Sequence, residues 1–566
     1  MTALLALAAT LACTAGGAPP APSPGTGYRA SAPARPGGTV VLADYEYPQS
    51  PTPLTARTDA ELRAAALLFS PLWGLDPGLR PYPDLASRVP ATANGAVRAA
   101  RDGRSMTVDV RLVPGLRWSD GQPLTADDVV FTWQALRDPA LRALAPPGLD
   151  RVRAMDRRSD TEVVWTFDGV DAGYVALGAA FPVLPAHRLR GIAPAGWLHA
   201  DYFARPDVVS GPFTVAEAVP GDRLTLAANA QYADGRVDPD AYAGGDAPFD
   251  HAPHLERVVL EASASKDVEV QTLLARAADV GFHLLPGDLA VLRGATGSAP
   301  VVTTGLRDEF LNPNHSVDTA TGQAPPWGDD PRVLRALDEA VDRSALVHDV
   351  LAGSGSPARG LFPRALAGFA GGTALPAGAD VGAARRLLDA AGWRPGPDGV
   401  RAHDGRRLAF TLTGICDRPG GDVELDLLRR AWQQLGAAVT VGCQPRDALL
   451  RNAAAGAFDM TVYSNEWAPD PGAWAAVGAT GQVANWNRCH DRSLDAALAR
   501  TGATLDPGRR QVAARDVERA WLAYRCTIPL FEWPDVRQVS AQLRNFVPAA
   551  AAADTWNAVD WWLAPA

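Results

Sequence analysis

The sequence predicts an α/β fold, in which strands and helices alternate along the chain. From about residue 301 the alternation becomes regular, and its clearest example is the succession of Arg407–Ile415, Val423–Leu435 and Ala437–Gly442, which has the pattern of strand, helix and strand. The 566 residues are 47% hydrophobic and include 16 Trp, which is too much apolar material for a mainly disordered chain. At roughly 150 residues per domain, this length predicts about four domains or lobes.

The composition also excludes several classes of protein. The longest clean apolar run, residues 3–12, is half of the roughly 20 residues that a transmembrane helix needs, so a polytopic membrane protein is excluded. With 53 Lys and Arg against 63 Asp and Glu, the net charge of −10 does not favour binding to nucleic acid or to anionic membranes. The single lysine, Lys266, follows Ser265, so the chain has no phosphate-binding loop of the G-x-x-x-x-G-K type.

The N-terminal segment has the pattern of an export signal. Residues 3–12 (ALLALAATLA) are apolar, Cys13 follows at once, and the next residues are rich in Gly, Pro, Ala and Ser. We interpret residues 1–12 as a signal peptide and residues 13–36 as a flexible tether. The residues before Cys13 resemble a bacterial lipobox, with Thr10 where leucine is usual, and this predicts lipid attachment at Cys13. Ordinary secretion, with Cys13 discarded, is the alternative.

Residues 105–136 carry the clearest local signals. Met106–Leu112 alternates as a strand, and Asp120-Gly121 forms a turn. Thr125 then caps a helix, with Asp128 at the third position completing a capping box. These residues are explained by the strand, the turn and the helix cap that they form, so no catalytic or binding role is needed to account for them.

Further elements follow from the same patterns. The other predicted strands are 39–43, 162–167, 213–226, 255–261, 458–464 and 527–533, with one more beginning at 279–281. The other predicted helices are 61–69, 268–277, 331–351, 381–391, 446–455, 491–501 and 507–525. Residues 233–254 form a polar excursion rich in Gly, Pro and Asp.

Four cysteines remain besides Cys13, and an even number in an exported chain predicts two disulfides. Cys416 and Cys443 each follow one strand of the predicted βαβ unit, whose carboxyl ends lie side by side, within disulfide reach. Cys489 precedes one helix and Cys526 ends the next, so an antiparallel helical hairpin would join them. The alternative is that all four are reduced core thiols.

No catalytic constellation emerges from the sequence. The chain lacks an H-E-x-x-H zinc motif and a G-x-S-x-G serine. His251 and His254 are the closest histidine pair, but Pro253 between them opposes a helix that would present both to a metal. We therefore predict no metal, no cofactor and no enzyme activity.

Several ordered motifs resemble the extracytoplasmic solute-binding proteins of bacterial family 5, the oligopeptide and dipeptide class of ABC transporters. The strongest match is residues 117–131 (RWSDGQPLTADDVVF), which is similar to the family signature W-S-D-G-x-P-[LV]-T-A-x-D-V-x-F. Residues 310–312 (FLN), 330–337 (DPRVLRAL) with 340–343 (AVDR), 384–393 (ARRLLDAAGW) and 456–459 (GAFD) resemble further family motifs in the family's order. The signature at 117–131 marks the fold and is not expected to touch ligand.

This resemblance implies a periplasmic-binding-protein-like type II fold with three lobes. Lobe I would comprise residues 37–72, 205–300 and 530–566, and lobe III residues 301–529, interleaved around a ligand cleft. Lobe II, residues 73–204, would be inserted. The resemblance implies a monomeric receptor that closes on a peptide or related solute and delivers it to ABC transporter permease subunits. It would be held at the outer face of the cell membrane only by the lipid at Cys13.

The ligand residues are implied by position in the family pattern. In the family's peptide binders a carboxylate after the "F-D" strand pairs with the peptide amino terminus, within a D-x-x-[DE]-P spacing. Here Trp467 stands three residues before Asp470, and Glu466 one further back. Either Glu466 takes the role with one extra loop residue, or the anchor is absent; which of Glu466 and Asp470 would hold an amine is open. The other predicted ligand residues are Tyr45, Glu46, Tyr47, Tyr463, Asn465, Trp467, Trp474, Asn485 and Trp486.

Some alternatives stay open at this point. Trp467 and Trp474 would be cleft walls if they face ligand, and core residues otherwise. Within the family's fold, the ligand could instead be an oligosaccharide or a metal chelate. From other classes, a secreted hydrolase or a surface interaction protein that kept the fold would also fit the sequence.

Overall fold

The structure is a computed structural model that describes residues 30–33, 35–236, 249, 251–328, 330–416 and 418–565. The predicted signal peptide, Cys13 and most of the tether lie outside the described residues, as does most of the polar excursion at 233–254. The fold is α/β, as the sequence predicts.

Twenty-two strands and fifteen α-helices are described. The strands are β1 Thr39–Asp44, β2 Trp73–Leu75, β3 Pro81–Pro83, β4 Val97–Ala99, β5 Ser105–Arg111, β6 Val152–Arg157, β7 Glu162–Asp168, β8 Phe213–Val219, β9 Arg223–Ala228, β10 Arg257–Ala262, β11 Val280–Leu284, β12 Ser298–Pro313, β13 Ser356–Pro357, β14 Arg394–Pro395, β15 Arg401–His403, β16 Arg406–Arg407, β17 Ala409–Ile415, β18 Ala438–Gln444, β19 Met460–Glu466, β20 Ile528–Ser540, β21 Leu543–Arg544 and β22 Trp562–Leu563. The helices are α1 Asp59–Leu68, α2 Ala126–Leu136, α3 Tyr174–Ala180, α4 Ala186–Leu189, α5 Asp201–Ala204, α6 Lys266–Leu274, α7 Leu289–Leu292, α8 Pro331–Glu339, α9 Arg343–Val350, α10 Val381–Ala390, α11 Gly421–Gln433, α12 Arg446–Ala455, α13 Ala475–Gly478, α14 Arg492–Ala503 and α15 Pro507–Tyr524.

One 11-stranded sheet runs through most of the molecule. Its order is β18-β17-β19-β12-β20-β11-β1-β10-β9-β8, with β13 added beside β20. The two long central strands, β12 and β20, are antiparallel and pair over most of their length. One end of this pair is flanked by β11, and the other end by β19. The β12–β20 pair is therefore the structural link between the two halves of the sheet.

The pairing of β12 with β20 is irregular at its middle. Thr304 lies opposite Pro534, but the next paired residue, Asp308, lies opposite Glu532, so the intervening residues of β12 bulge out of the ladder. At Gly305 a Cβ atom would collide with the Asp535 carboxylate, so a larger residue there would displace that side chain. This bulge is the point at which the chain passes from one half of the sheet to the other.

A separate four-stranded sheet has the order β4-β5-β7-β6 and packs against α2. The predicted capping box at the start of α2 is confirmed, with Asp128 accepting a 2.9 Å hydrogen bond from the Thr125 backbone N–H. Trp118 is fully buried, and its Nε1 donates to Asp128 at 3.3 Å. The signature at 117–131 thus fixes a turn, a buried indole and a helix start.

Two large apolar cores lie on different parts of this framework. The first joins α1 and the N-terminal half of the main sheet to the four-stranded sheet. The second packs α8–α11 against the strands around β12 and β17. A third cluster, rich in Trp and Phe, fills the space under α14 and α15. Among the described residues, no helix combines the length and the hydrophobicity needed to cross a bilayer.

Both predicted disulfides are present. Strands β17 and β18 are parallel, with Gly414 opposite Cys443, and the Cα atoms of Cys416 and Cys443 are 4.9 Å apart. Helices α14 and α15 pack together, and the Cα atoms of Cys489 and Cys526 are 5.5 Å apart. The alternative of four reduced thiols is wrong.

Two predicted elements are corrected by the structure. The single helix predicted over 331–351 is two helices, α8 and α9, because Asp342 takes an extended conformation and caps α9 by accepting from the Ala345 N–H. The strand predicted over 213–226 is the hairpin of β8 and β9, which turns at residues 220–222. In both cases the hydrophobic pattern of the sequence continues through a position at which the backbone ends one element and begins the next.

Candidate functional site

A cleft with a volume of about 530 Å³ lies beside the bulge of β12. Its walls come from α1, from the β12 bulge, from the end of β19, from β20, from residues 176–183 and from the C-terminal segment 549–559. These segments belong to distant parts of the chain, so the cleft exists only in the folded protein. Its size is within the range of roughly 300–1,000 Å³ that is usual for small-ligand sites.

Three carboxylates gather at one end of the cleft. Asp59 is the first residue of α1, Glu466 is the last residue of β19, and Asp535 is on β20 just past the bulge. Asp59 and Glu466 are exposed to the cleft, and Asp535 is half-buried. We call these three residues the acidic end.

Burial raises the pKa of all three carboxyl groups, and the charge of Asp535 also raises the pKa values of Asp59 and Glu466. Burial by the surrounding protein, followed by the charges of Asp59 and Asp535, raises the pKa of Glu466. The pKa of Asp59 is raised by burial and then by Asp535 and Asp554, and Arg307 only partly opposes this. Burial likewise raises the pKa of Asp535. The acidic end therefore holds more negative charge than its surroundings neutralise.

His283 does not supply the missing positive charge. Its Nε2 lies 3.0 Å from Arg63 Nη1 and 3.2 Å from Asp59 Oδ2. An arginine can only donate, so Nε2 must accept and the imidazole is neutral. Burial and the charge of Arg63 lower the pKa of His283 to about 2, which agrees with this assignment. Asp59 therefore faces a neutral ring.

The arginines of the cleft are already engaged. Arg63 forms an ion pair with Asp44 and lies 4.2 Å over the ring of Phe282. Arg537 donates to Asp554 at 2.6 Å, and its closest approach to the Asp535 carboxylate is a longer 3.8 Å. These pairings leave the acidic end with an attraction for a cationic group of a ligand.

Arg307 is the third cleft arginine and lies across the ladder from Glu466. Its guanidinium stacks 4.6 Å over the ring of Trp533. It lowers the pKa of Glu466, but less than burial, Asp59 and Asp535 raise it. Arg307 thus moderates the charge of the acidic end and does not cancel it.

The rest of the cleft is mainly apolar. Leu62 on α1 keeps 44% of its surface exposed, and it lines the cavity together with Ala66 and Phe69. Residues 549–553, all alanine, and the segment 176–183 form further walls. Such a surface binds apolar groups without fixing a single orientation.

Of the predicted ligand residues, all of which the structure describes, only Glu466 lines this cavity. Trp467 and Trp474 are 7% and 1% exposed, and they pack on each other and on Phe362 in the third core cluster. Trp467 Nε1 donates to the buried Asp308 at 3.2 Å. The core alternative therefore describes both tryptophans, and the prediction that they form cleft walls does not fit their burial.

Asp470 also lies outside the cavity. Arg510 holds both of its carboxylate oxygens, and the remaining capacity of Oδ1 accepts the Gly472 N–H at 2.8 Å. Asn485 is equally committed, since its side chain bonds the backbone of Ala479 and Cys489. Both side chains support loops of the fold, because their polar atoms are occupied by the protein itself.

The remaining predicted residues lie near the cleft or behind it. Tyr463 is buried beside Ile415, whereas Asn465 is exposed at the end of β19. Trp486 is half-buried. The segment Tyr45-Glu46-Tyr47 follows β1, with the Lys266 ammonium 4.2 Å over the Tyr45 ring. None of these side chains forms part of the cavity wall among the residues described.

Asp59 and Asp535 were missed by sequence reasoning. Asp59 follows the capping residue Thr58, where a carboxylate has the ordinary role of favouring the positive end of a helix. Asp535 lies in a strand of mixed composition that carries no motif. Only their common position beside Glu466 identifies them.

Among the residues that the structure describes, no group of three or more His, Cys, Asp or Glu side chains is arranged to hold a metal ion. His251 and His254 stack with their rings 4.5 Å apart, and His251 contacts Asp560 at 2.9 Å. The pair is a packed surface feature.

The sequence matches the family model of bacterial extracellular solute-binding proteins, family 5, over residues 80–483. Protein XP55 of Streptomyces lividans is 31% identical over 345 residues, which cover 61% of this chain and 56% of that protein. The oligopeptide-binding protein AppA of Bacillus subtilis is 24% identical over 387 residues, which cover 66% of this chain and 63% of AppA. The matched regions thus span less than two thirds of either relative.

Solved structures show the same fold. AppA of Bacillus subtilis, determined in complex with a nonapeptide, superposes with a TM-score of 0.68 at 19% identity and covers 94% of this chain and 100% of that one. The ABC transporter substrate-binding protein CtaP of Listeria monocytogenes gives a TM-score of 0.75 at 18% identity, again over 94% and 100% of the two chains.

Proposed function

Since the chain belongs to the bacterial extracellular solute-binding proteins of family 5, we propose that it is a receptor that captures peptides and delivers them to an ABC importer. The observation that carries the peptide assignment is Glu466, which opens into the cleft beside Asp59 and Asp535. The relatives AppA and CtaP, named for oligopeptide binding and for an ABC transporter, support the class of ligand and partner.

The acidic end suits the amino terminus of a peptide. A peptide ammonium brings a single positive charge with three N–H donors, and carboxylates are its natural partners. Glu466, Asp59 and Asp535 would receive it at the end of the cleft where the described arginines do not cancel the carboxylate charges. Binding would lower the pKa of all three carboxyl groups, because the ammonium stabilises their charged forms.

Closure would take place around the β12 bulge. The proposed lobe I (residues 37–72, 205–300 and 530–566) carries Asp59 and Asp535, and the proposed lobe III (residues 301–529) carries Glu466 and Arg307. An ammonium held between Asp59 and Glu466 would contact both lobes only when they are close together. Peptide binding would therefore favour the closed conformation. Lobe II, residues 73–204, would contribute the wall at 176–183.

The location follows from the proposed processing of the N-terminus. Residues 1–12 would act as the signal peptide and residues 13–36 as the tether, with a lipid at Cys13 anchoring a monomer to the outer face of the membrane. Mass analysis of the mature N-terminus tests this directly. A mature chain that starts beyond Cys13 would contradict the anchor.

The receptor is proposed to have no enzyme activity. Protein purified from its native host should release intact peptides on denaturation, as detected by mass spectrometry. Cleaved products generated from an added peptide pool would instead support a hydrolase.

The amine anchor is tested with Glu466→Gln, which keeps the shape of the side chain and removes its charge. We expect this variant to lose about tenfold or more in affinity for a free-amine peptide and little for its N-acetylated form. Glu217→Gln is the matched control, since Glu217 is an exposed strand residue outside the cavity. Equal losses for both peptides would remove the role of Glu466.

A further inference from the structure

The cleft changes character along α1, which lies in its wall. Asp59, Leu62 and Ala66 line the cavity, and their spacing of three to four residues puts them on one face of the helix. Phe69, the extended residue that follows the helix, also lines the cavity. The ten residues of α1 span about 15 Å at 1.5 Å per residue. The face begins at the acidic end with Asp59, and the aromatic ring of Phe69 follows its other end.

Aromatic side chains lie towards the far end of this face, because Arg236 joins Ser70, the residue after Phe69, to Asp84, two residues after Tyr82. Tyr82, Phe249 and Trp556 line the cavity and pack on one another, with ring centroids 5.5 Å apart for Tyr82 and Phe249 and 5.7 Å for Tyr82 and Trp556. We call these three residues the aromatic end. The Trp556 Nε1 is satisfied by the Val547 carbonyl at 2.9 Å, so the ring offers its apolar surface.

The described cationic residues of the cavity wall are all at the acidic end. Arg307 and Arg537 influence the pKa of Asp59 or of Asp535, and Arg63 contacts His283 beside Asp59. The groups that act on Tyr82 at the other end are carboxylates and a tyrosine, together with its own burial. A carboxylate of a ligand would therefore meet no free arginine of the described wall at the aromatic end.

We propose that the cleft selects peptides of about four residues or fewer whose last side chain is bulky and apolar. An extended peptide advances roughly 3.3–3.6 Å per residue, so four residues span the length of α1. The amino terminus lies against Asp59, Glu466 and Asp535, and the last side chain lies among Tyr82, Phe249 and Trp556. The proposal rests on the proposed function, which supplies the amino-terminal anchor.

Leu62 sets the apolar character between the two ends. It lies one helical turn past Asp59, is 44% exposed and lines the cavity. A charge at this position would oppose burial of an apolar ligand group without disturbing the core beneath it. Leu198 is a matched control, because it is 50% exposed and lies outside the cavity.

The test is calorimetric titration of the mature protein, freed of bound ligand, with synthetic peptides. The probes are Ala-Ala-Ala-Phe, Ala-Ala-Ala-Ser and Ala-Ala-Ala-Asp, the C-terminal amide and the N-acetyl form of the first, and a nonapeptide that begins with Ala-Ala-Ala-Phe. We expect the Phe peptide to bind about tenfold tighter than the Ser peptide or more, from burial of one aromatic side chain. Amidation should change its affinity by less than about threefold, since none of the described cationic residues that line the cavity lies at the aromatic end.

The two variants refine the result. Leu62→Glu should change the affinities for the Phe and Ser peptides by the same factor, because Leu62 lies near the acidic end, whereas Leu198→Glu should leave both unchanged. Equal affinities for the Phe, Ser and Asp peptides, with binding still dependent on the free amine, would overturn this inference and leave the proposed function intact. A nonapeptide that binds as tightly as the tetrapeptide would overturn the length limit. Failure of every free-amine peptide to bind would overturn the proposed function itself.

Discussion

Asp470 and Arg510 form a two-pronged ion pair, with Nη1 to Oδ2 at 2.8 Å and Nη2 to Oδ1 at 2.6 Å. Both side chains are nearly buried, at 11% and 12% exposed. The pair fixes the loop after β19 to the start of α15. Asp470 is thus a residue of the fold, although the sequence placed it among candidates for the amine anchor.

Asp470→Ala should destabilise the protein by about 3 kcal/mol, because it leaves the Arg510 guanidinium buried without its partner. Arg510→Ala should cost a similar amount, and the double variant less than the sum of the two. Urea denaturation measures these changes. In Asp470→Ala the ratio of affinities for free-amine and acetylated peptides should stay at the wild-type value. A large fall in that ratio would indicate that Asp470 contacts the peptide amino terminus.

Trp467→Ala should lower the free energy of unfolding by about 3–5 kcal/mol, as expected for loss of a buried indole. Trp467 contacts Phe310, Phe362, Trp474 and Trp521 in the third core cluster. Trp486→Ala is the comparison, since Trp486 is only half-buried and should cost less. A Trp467→Ala protein of wild-type stability but reduced peptide affinity would support the cleft-wall alternative.

The two disulfides should differ in their response to reductant. Cys416 and Cys443 are exposed, whereas Cys489 and Cys526 are 1% and 0% exposed. A thiolate must reach a sulfur atom to attack it, so dithiothreitol should open Cys416–Cys443 in the native protein and leave Cys489–Cys526 closed until unfolding. Alkylation followed by peptide mapping identifies the reduced pair. Simultaneous opening of both bonds in native conditions would contradict the burial of the second.

Removing either disulfide by paired Cys→Ser substitution should also lower stability. The bonds close loops with sequence separations of 27 and 37 residues. Loop-closure entropy predicts losses of roughly 3–4 kcal/mol for each. Denaturant titration of the paired variants, compared with each single variant, measures the effect.

The acidic end predicts a difference in pH dependence between wild type and Glu466→Gln. Folding raises the pKa of Glu466, so its contribution to stability is fully present below the unfolded pKa and is lost as the pH rises through the folded value. Without ligand, the variant should match wild type below about pH 4, where Glu466 is protonated in both states, and exceed it in melting temperature at pH 7.

Peptide binding should show the opposite trend with pH. An ammonium needs the charged form of Glu466, so the affinity of wild type should fall as the pH drops through the raised pKa, starting above the range of an ordinary glutamate. Calorimetry across this range provides the check. An affinity that is independent of pH in wild type would mean that no carboxylate of the acidic end contacts the ligand charge.

Local elements were predictable because their causes are local. The predicted local features are the capping box of Thr125 and Asp128, the βαβ unit of β17, α11 and β18, and the two disulfide pairs. The residues that determine each of them lie within one or two neighbouring elements, at most 37 positions apart for the disulfides. The helix predicted over 331–351 failed at Asp342, where a side-chain cap interrupts a hydrophobic pattern that continues on both sides. The spacing of hydrophobic residues does not reveal that one helix ends and another begins there.

The sequence by itself determined the α/β class, the family resemblance, the disulfides and one residue of the cleft, Glu466. Only the tertiary structure showed that Asp59 and Asp535 lie beside Glu466 and that Trp467 and Trp474 are buried in the third core cluster. The physical reason is that a cleft is assembled where strands and helices far apart in the chain meet. Burial and net local charge depend on that meeting, and neither is encoded in a short stretch of residues.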